Sequence, residues 1–103
     1  MIQRIKVAKV HQVKPGQSRI VQVDGHAVAL FNIDGIYFGL DNTCPHSRGP
    51  LSEGRLSGNK ITCPWHGAQF EVPTGKCLAG PATEDVKTYS VHVENDSIFI
   101  EVP

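Results

Sequence analysis

Two short segments carry the residues best suited to chemistry: Cys44-Pro45-His46 and Cys63-Pro64-Trp65-His66. The first is a Cys-X-His pair, the second a Cys-X-X-His pair, and 16 residues separate them. Thiolates and imidazoles together are the ligands of soft and borderline metals. Each pair runs into small or turn-forming residues, Ser47-Arg48-Gly49-Pro50 and Gly67-Ala68. Two loops of that composition can converge from opposite sides on one metal centre, with both thiolates and both imidazoles facing inward.

Three readings of these pairs compete. The plainest is coincidence, with thiols buried as small hydrophobes and histidines placed in turns; two matched pairs on Pro/Gly loops weigh against it. Structural zinc would use the same four atoms in a tetrahedral site. Zinc sites usually place Cys beside Cys and His beside His, whereas here each loop contributes one of each. The third is a [2Fe-2S] cluster with two Cys on one iron and two His on the other. The ligand order, the spacer and Gly67 after His66 resemble the Rieske pattern, and the likeness continues through Phe70, Thr74-Gly75 and Gly80-Pro81-Ala82. It covers most of the chain. The resemblance implies that Cys44 and Cys63 hold the buried iron, that His46 and His66 hold the outer iron near the surface, and that Gly80-Pro81 forms a third loop over the cluster.

A ligand set of this kind has an electrostatic consequence. With two ferric ions, two sulfides, two thiolates and neutral imidazoles the oxidised cluster is formally uncharged, so an added electron meets less repulsion than in an all-thiolate cluster. Histidine ligation therefore raises the potential into a range of about −150 to +300 mV. High-potential members of the family add a disulfide between the loops and two hydroxyl donors to cluster sulfur. The corresponding positions are Gly49 and Trp65 for the disulfide and Ala68 and Phe70 for the hydroxyls, so the resemblance implies a potential toward the negative end.

The elements that must position these loops read as β structure. Val and Ile supply 19 residues against five Leu, a bias toward side chains that are stiff at χ1 and suit a pleated surface. Seventeen Gly and Pro are spread through the chain, leaving no long window free of helix breakers. Strands are predicted near residues 2 to 10, 18 to 24, 26 to 33 and 36 to 40, with Asp24-Gly25 and Asp34-Gly35 as hairpin turns. Tyr89, Val91 and Val93, then Ile98, Ile100 and Val102 after Asn95-Asp96, predict a closing hairpin with one buried face. Residues 41 to 83 differ: they hold all three cysteines, five of seven prolines and six of ten glycines. Within them only Arg55 to Ser57, Lys60 to Thr62 and Gln69 to Val72 look strand-like, with Gly58-Asn59 as a turn. The expected architecture is all-β: one domain over residues 1–103, a β sandwich or barrel base with an inserted small β cluster-binding subdomain at about 41–83, as in the Rieske fold.

Composition bounds the function. At 103 residues the chain is one domain's length. Ten Lys+Arg balance ten Asp+Glu, which removes any broad electrostatic case for nucleic acid or anionic lipid. No apolar run approaches the roughly 20 residues of a membrane span, and the first residues lack a signal peptide's apolar segment. A cytoplasmic protein is expected. Three cysteines are too few for a disulfide scaffold. Cys77 has no counterpart among the ligands and reads as a leftover thiol, buried or half-exposed. Trp65, between two ligands, could shield the cluster or face a partner. His11, His26 and His92 read as solvated or locally bonded. Residues 44 to 80 carry Arg48, Arg55, Lys60 and Lys76 against Glu53 and Glu71, an ordinary solvated surface or a mild positive rim.

With every coordination position on each iron filled by protein or sulfide, no position remains for substrate. The resemblance thus implies an electron carrier rather than an enzyme, of the kind that serves as ferredoxin component of bacterial aromatic-ring dioxygenase or related oxygenase systems. Its implied partners are a flavoprotein reductase using NAD(P)H and a terminal oxygenase, each met transiently. The Rieske small subunit of an NAD(P)H nitrite reductase is the alternative within the family, and a zinc-bound interaction module the alternative outside it.

Overall fold

The computed structural model describes residues 2–44, 49–65, 67–80 and 84–103. Among the described residues ten strands form two antiparallel sheets. The larger contains β1 (Gln3–Lys9), β2 (Ser18–Val23), β3 (His26–Ile33), β4 (Ile36–Asp41), β9 (Thr88–Glu94) and β10 (Ser97–Val102), in the order β1-β10-β9-β4-β3-β2. Its outer strands β1 and β2 also touch, so the sheet curls into a half-barrel. The smaller sheet, β5 (Arg55–Ser57), β6 (Lys60–Thr62), β7 (Gln69–Glu71) and β8 (Cys77–Ala79), runs in sequence order. It is inserted between β4 and β9, as the change in composition after residue 41 predicts.

The hairpins form where the sequence places them. Asp24 and Gly25 have φ of 50° and 81°, and Asp34 and Gly35 have 53° and 88°. Two consecutive positive φ values match the right-handed twist of the flanking strands, and Asp-Gly reaches them at low cost. Asn95 (φ 54°) turns β9 into β10. Inside the second turn Asn32, almost fully buried, donates from Nδ2 to the Val13 carbonyl at 2.8 Å and accepts the Gly35 N–H on Oδ1 at 2.8 Å. One amide thus satisfies polar backbone on two loops, which is what a buried polar side chain requires.

Strand β3 explains how one sheet supports two cores. Ala29, Phe31 and Ile33 pack with Leu40, Leu51, Ile61, Phe70, Val72, Val86, Cys44 and Cys63. Val28 and Leu30, on the opposite face, pack with Val21, Val23, Ile98, Ile100 and Val102 inside the curl. Successive residues of a strand point to opposite faces, so β3 closes the half-barrel with one face and floors the inserted subdomain with the other. Burying two Leu- or Phe-sized side chains there contributes roughly 1.5–3 kcal/mol each relative to exposure.

Some details depart from the sequence reading. Strand β8 and the 3-10 turns at Val10–Gln12 and Leu51–Glu53 were not expected. Cys77-Leu78-Ala79 is a half-exposed edge strand held by pairing of Phe70 with Cys77 and Gln69 with Ala79 around an irregular register; it has no period of its own to read. The closing hairpin has one fully buried face on β10 alone: Ile98 and Ile100 are fully buried, whereas Val93 is 46% exposed. Val93 pairs with Ile98 next to the turn, where the curl no longer covers it. His92 bonds locally, with Nε2 3.0 Å from Glu101 Oε2.

Tyr89 on β9 is placed less comfortably. Its hydroxyl is buried and meets no hydrogen-bond partner among the described residues, while Lys87 Nζ sits 4.9 Å from its ring centroid. Burial, with the nearby Asp41 charge as the lesser cause, raises its pKa above the ordinary value of 10.0. The hydroxyl therefore stays neutral in the folded protein at a pH where the unfolded chain would ionise. Its contribution is undiminished below about pH 10 and is lost as pH climbs through the folded-state value. Replacing Tyr89 with Phe removes an unsatisfied hydroxyl, so urea denaturation at neutral pH should show stability unchanged or raised by up to about 1 kcal/mol. The variant's advantage should widen at alkaline pH, and a variant clearly less stable at every pH would contradict the assignment.

Candidate metal centre

Strand β4 ends at Asp41 and delivers the first loop. The Asp41 N–H donates to Lys87 O at 2.8 Å and the Asn42 N–H to Ala27 O at 3.0 Å, so the loop leaves from a fixed platform. Asn42, buried, accepts the Ser52 N–H on its side chain at 2.8 Å and the Leu51 N–H on its carbonyl at 2.7 Å. Thr43 and Pro50 pair as an isolated bridge. The Ser18 hydroxyl, from β2, donates to the Ser52 carbonyl at 2.7 Å and ties the far side of the loop to the large sheet.

The two cysteine-bearing loops are closed by the same device. Cys44 N–H donates to Gly49 O at 3.0 Å, and Cys63 N–H donates to Ala68 O at 2.8 Å. In each case the cysteine amide binds the carbonyl five residues on, so the stretch of sequence that carries each candidate histidine starts and ends at a pinned neck. Gly67 helps close the second neck with φ of 76° and an N–H donated to Cys63 O at 3.2 Å. A residue with a side chain would pay backbone strain at that angle.

Both thiols are buried, Cys44 fully and Cys63 at 2% exposure, in one core cluster with Ala68 and Phe70. The loops also touch: a Cβ added to Gly49, beyond Cys44, would lie 3.0 Å from Cys63 Sγ. Of the four predicted ligands, the structure thus brings Cys44 and Cys63 into one site. His46 and His66 lie outside the described residues, as do Pro45, Ser47, Arg48 and the Pro81-Ala82 part of the expected third loop. Among the described residues no group of three or more His, Cys, Asp or Glu converges. The donor set tests the fit: two buried thiols from two pinned loops, each loop carrying one histidine in sequence, suit a two-iron cluster with a thiolate end turned inward. Fully buried Ala68 and Phe70 present no hydroxyl to that end.

Among the described residues nothing comparable forms elsewhere. A cavity of about 230 Å³ lies against Lys87, Tyr89 and Glu101 and includes neither cysteine. No helix among the described residues is long and apolar enough to cross a membrane. Cys77 is half-buried, and its N–H donates to Asp85 Oδ1 at 2.8 Å.

The contacts at Gly49 and the twin necks escaped the sequence reading. The sequence marks Gly49 as a turn-forming residue and by correspondence with a family position, but its packing against the second loop is a non-local contact that no spacing reveals.

Known proteins place this geometry. A family model for the Rieske [2Fe-2S] domain matches residues 3–90. The chain is 37% identical over 98 residues to the ferredoxin component of the naphthalene 1,2-dioxygenase/salicylate 5-hydroxylase systems of a Ralstonia species, covering 95% of this chain and 94% of that one. Among solved structures, the Sphingomonas yanoikuyae B1 ferredoxin superposes with a TM-score of 0.92 at 34% identity, covering 98% of this chain and all (100%) of that one. A chain in the complex of reduced oxygenase and oxidised ferredoxin of carbazole 1,9a-dioxygenase superposes with a TM-score of 0.89 at 31% identity, covering 94% and 91%.

Proposed function

Because the chain belongs to the Rieske [2Fe-2S] family, we propose that it is a one-electron carrier, the ferredoxin of an oxygenase system, with Cys44, His46, Cys63 and His66 as the cluster ligands. The observation that carries the reading is the pair of buried thiols on two loops pinned in the same way and packed together at Gly49. The bound [2Fe-2S] group supplies a one-electron couple.

The chain's own residues do the rest. Cys44 and Cys63 would hold the group from the core that they share with Phe31 and Phe70, whose apolar packing would keep water from the thiolates. His46 and His66, which lie in sequence between the pinned ends of the two loops, would complete the ligand set and give the electron its way out. The floor provided by β3 fixes the site on a rigid sheet, so little rearrangement accompanies electron transfer. No catalytic residue is assigned.

The relatives support an oxygenase partner. Their names place them in dioxygenase systems, and one structural neighbour comes from a complex with an oxygenase. A terminal oxygenase is the proposed acceptor, and a flavoprotein reductase that oxidises NAD(P)H the proposed donor. Each contact should be small, below about 1,200 Å² in total, because a shuttle must leave one partner to reach the next. The nitrite reductase reading has weaker support, since these likenesses name dioxygenase ferredoxins. The full chain is best tested by anaerobic cluster reconstitution followed by reduction with candidate reductases and re-oxidation by candidate ring-hydroxylating oxygenases. A red-brown protein with a reducible [2Fe-2S] EPR signal that passes electrons between them supports the proposal. A colourless protein with stoichiometric zinc, or electron delivery only to a sirohaem nitrite reductase, would overturn it.

A further inference from the structure

Trp65 is the chain's one tryptophan, stands between two of the proposed ligands, and is 60% exposed. Nothing in the ligand set explains so large an apolar side chain at the surface. Its contacts do. A Cβ added to Gly49 would lie 3.0 Å from Trp65 Cγ, 3.2 Å from Trp65 Cδ2 and 3.0 Å from Cys63 Sγ. The ring and the thiol of the second loop therefore press on the backbone of the first loop at a single residue. A Cβ there would meet both atoms closer than ordinary van der Waals contact, so close approach calls for a glycine at this position. Its carbonyl is also the acceptor that closes the Cys44 neck.

We infer that Trp65 is a positioning residue, whose indole lies across Gly49 as a clasp that holds the two cysteine-bearing loops together and keeps water from Cys63 Sγ. The exposure of the ring then follows from its place: it covers the seam from outside, with its inner atoms on Gly49 and the remainder open. Cys63 stays 2% exposed although Pro64 and Trp65, which follow it in the chain, are exposed. Such a clasp acts on the cluster through its thiolate, since hydrogen bonding and solvent access at cluster sulfur tune the potential and burial controls loss of the metal. The inference rests on the reading of these loops as the cluster site.

The test uses the reconstituted full chain, challenged in the oxidised state with an excess of iron chelator while the visible absorption is followed, together with voltammetry. Wild type is measured first, and a wild type that takes up no cluster counts against the proposed function rather than against the clasp. Trp65→Ala should lose its visible absorption at least tenfold faster, with a midpoint potential moved in the positive direction because water near Cys63 stabilises the added negative charge. Trp65→Phe, which keeps a ring over Gly49, should recover most of the slow rate and the original potential. If Trp65→Ala takes up no cluster, Gly49→Ala decides: its Cβ forces the indole and the thiol back by a few tenths of an ångström, so faster loss and a shifted potential support the clasp. Loss at the wild-type rate with an unchanged potential in Trp65→Ala or Gly49→Ala, or a Trp65→Phe no better than Trp65→Ala, would overturn it.

Discussion

Cys44→Ser and Cys63→Ser should each abolish the visible absorption and the reduced-state EPR signal and bring electron delivery down to background. A serine hydroxyl stays protonated near neutral pH and offers a hard oxygen where soft iron–sulfide chemistry selects thiolate. Both positions lie in the core beneath β3, so no outside thiol can take over. Cys77, on the edge strand β8 and half-buried, supplies the control: Cys77→Ser should keep the full spectrum. The histidine side gives a graded result. His66→Cys adds a third thiolate and makes the cluster more negative by one charge, so any cluster that forms should have a lower potential, moved toward the roughly −400 mV of all-thiolate plant-type ferredoxins. His66→Ala supplies no donor and should lose the histidine-ligated spectrum. Wild type itself is expected toward the negative end of the Rieske range, because Ala68 and Phe70 place no hydroxyl beside the buried thiols. A potential near +300 mV, or a Cys77→Ser variant without a cluster, would contradict this division of roles.

How far such roles can be read from a sequence depends on the range of the interaction. Asp24-Gly25 and Asp34-Gly35 carry their backbone conformation in two adjacent residues, and both turns form as the dipeptides dictate. The order and gap of the proposed ligands are properties of the chain itself and can be read without the fold. Strand β8 was not, because Cys77-Leu78-Ala79 extends only by pairing with β7. The double burial of β3 lay between these cases: Ala27-Val28-Ala29-Leu30-Phe31 is apolar without alternation, which signals a strand covered on both faces, but only the folded chain shows that the second cover is the inserted subdomain. The twin necks at Cys44–Gly49 and Cys63–Ala68, and the contact of Gly49 with Cys63 and Trp65, arise from loops brought together by the sheets and leave no local trace.

Gly75 is where that dependence on long-range contact should cost most if disturbed. It lies in the connection from β7 to β8 with φ of 74°, donates its N–H to Glu71 O at 2.7 Å and accepts the Val86 N–H on its carbonyl at 2.8 Å. The turn is thereby bonded to the segment that leads into β9, and Val86 is part of the core that holds both thiols. A Cβ at Gly75 would overlap the Val86 carbonyl oxygen and lie 2.9 Å from Thr88 Cγ2. Since the first of these atoms is backbone, relief requires the two chains to separate and the Val86 hydrogen bond to lengthen. Left-handed backbone alone costs a non-glycine residue about 1–2 kcal/mol, and separating the junction adds a broken buried hydrogen bond of about 1–3 kcal/mol. Gly75→Ala should thus lose on the order of 2–5 kcal/mol, a large part of the roughly 5–15 kcal/mol that holds a domain folded, and lower Tm by about 10 °C or more. Gly35→Ala isolates the backbone term, because Gly35 has φ of 88° but nothing within 4 Å of an added Cβ. Thermal unfolding of both variants separates the two causes: Gly75→Ala should unfold well below Gly35→Ala and lose its cluster more readily, whereas equal Tm values would show that the close approach to Val86 contributes nothing.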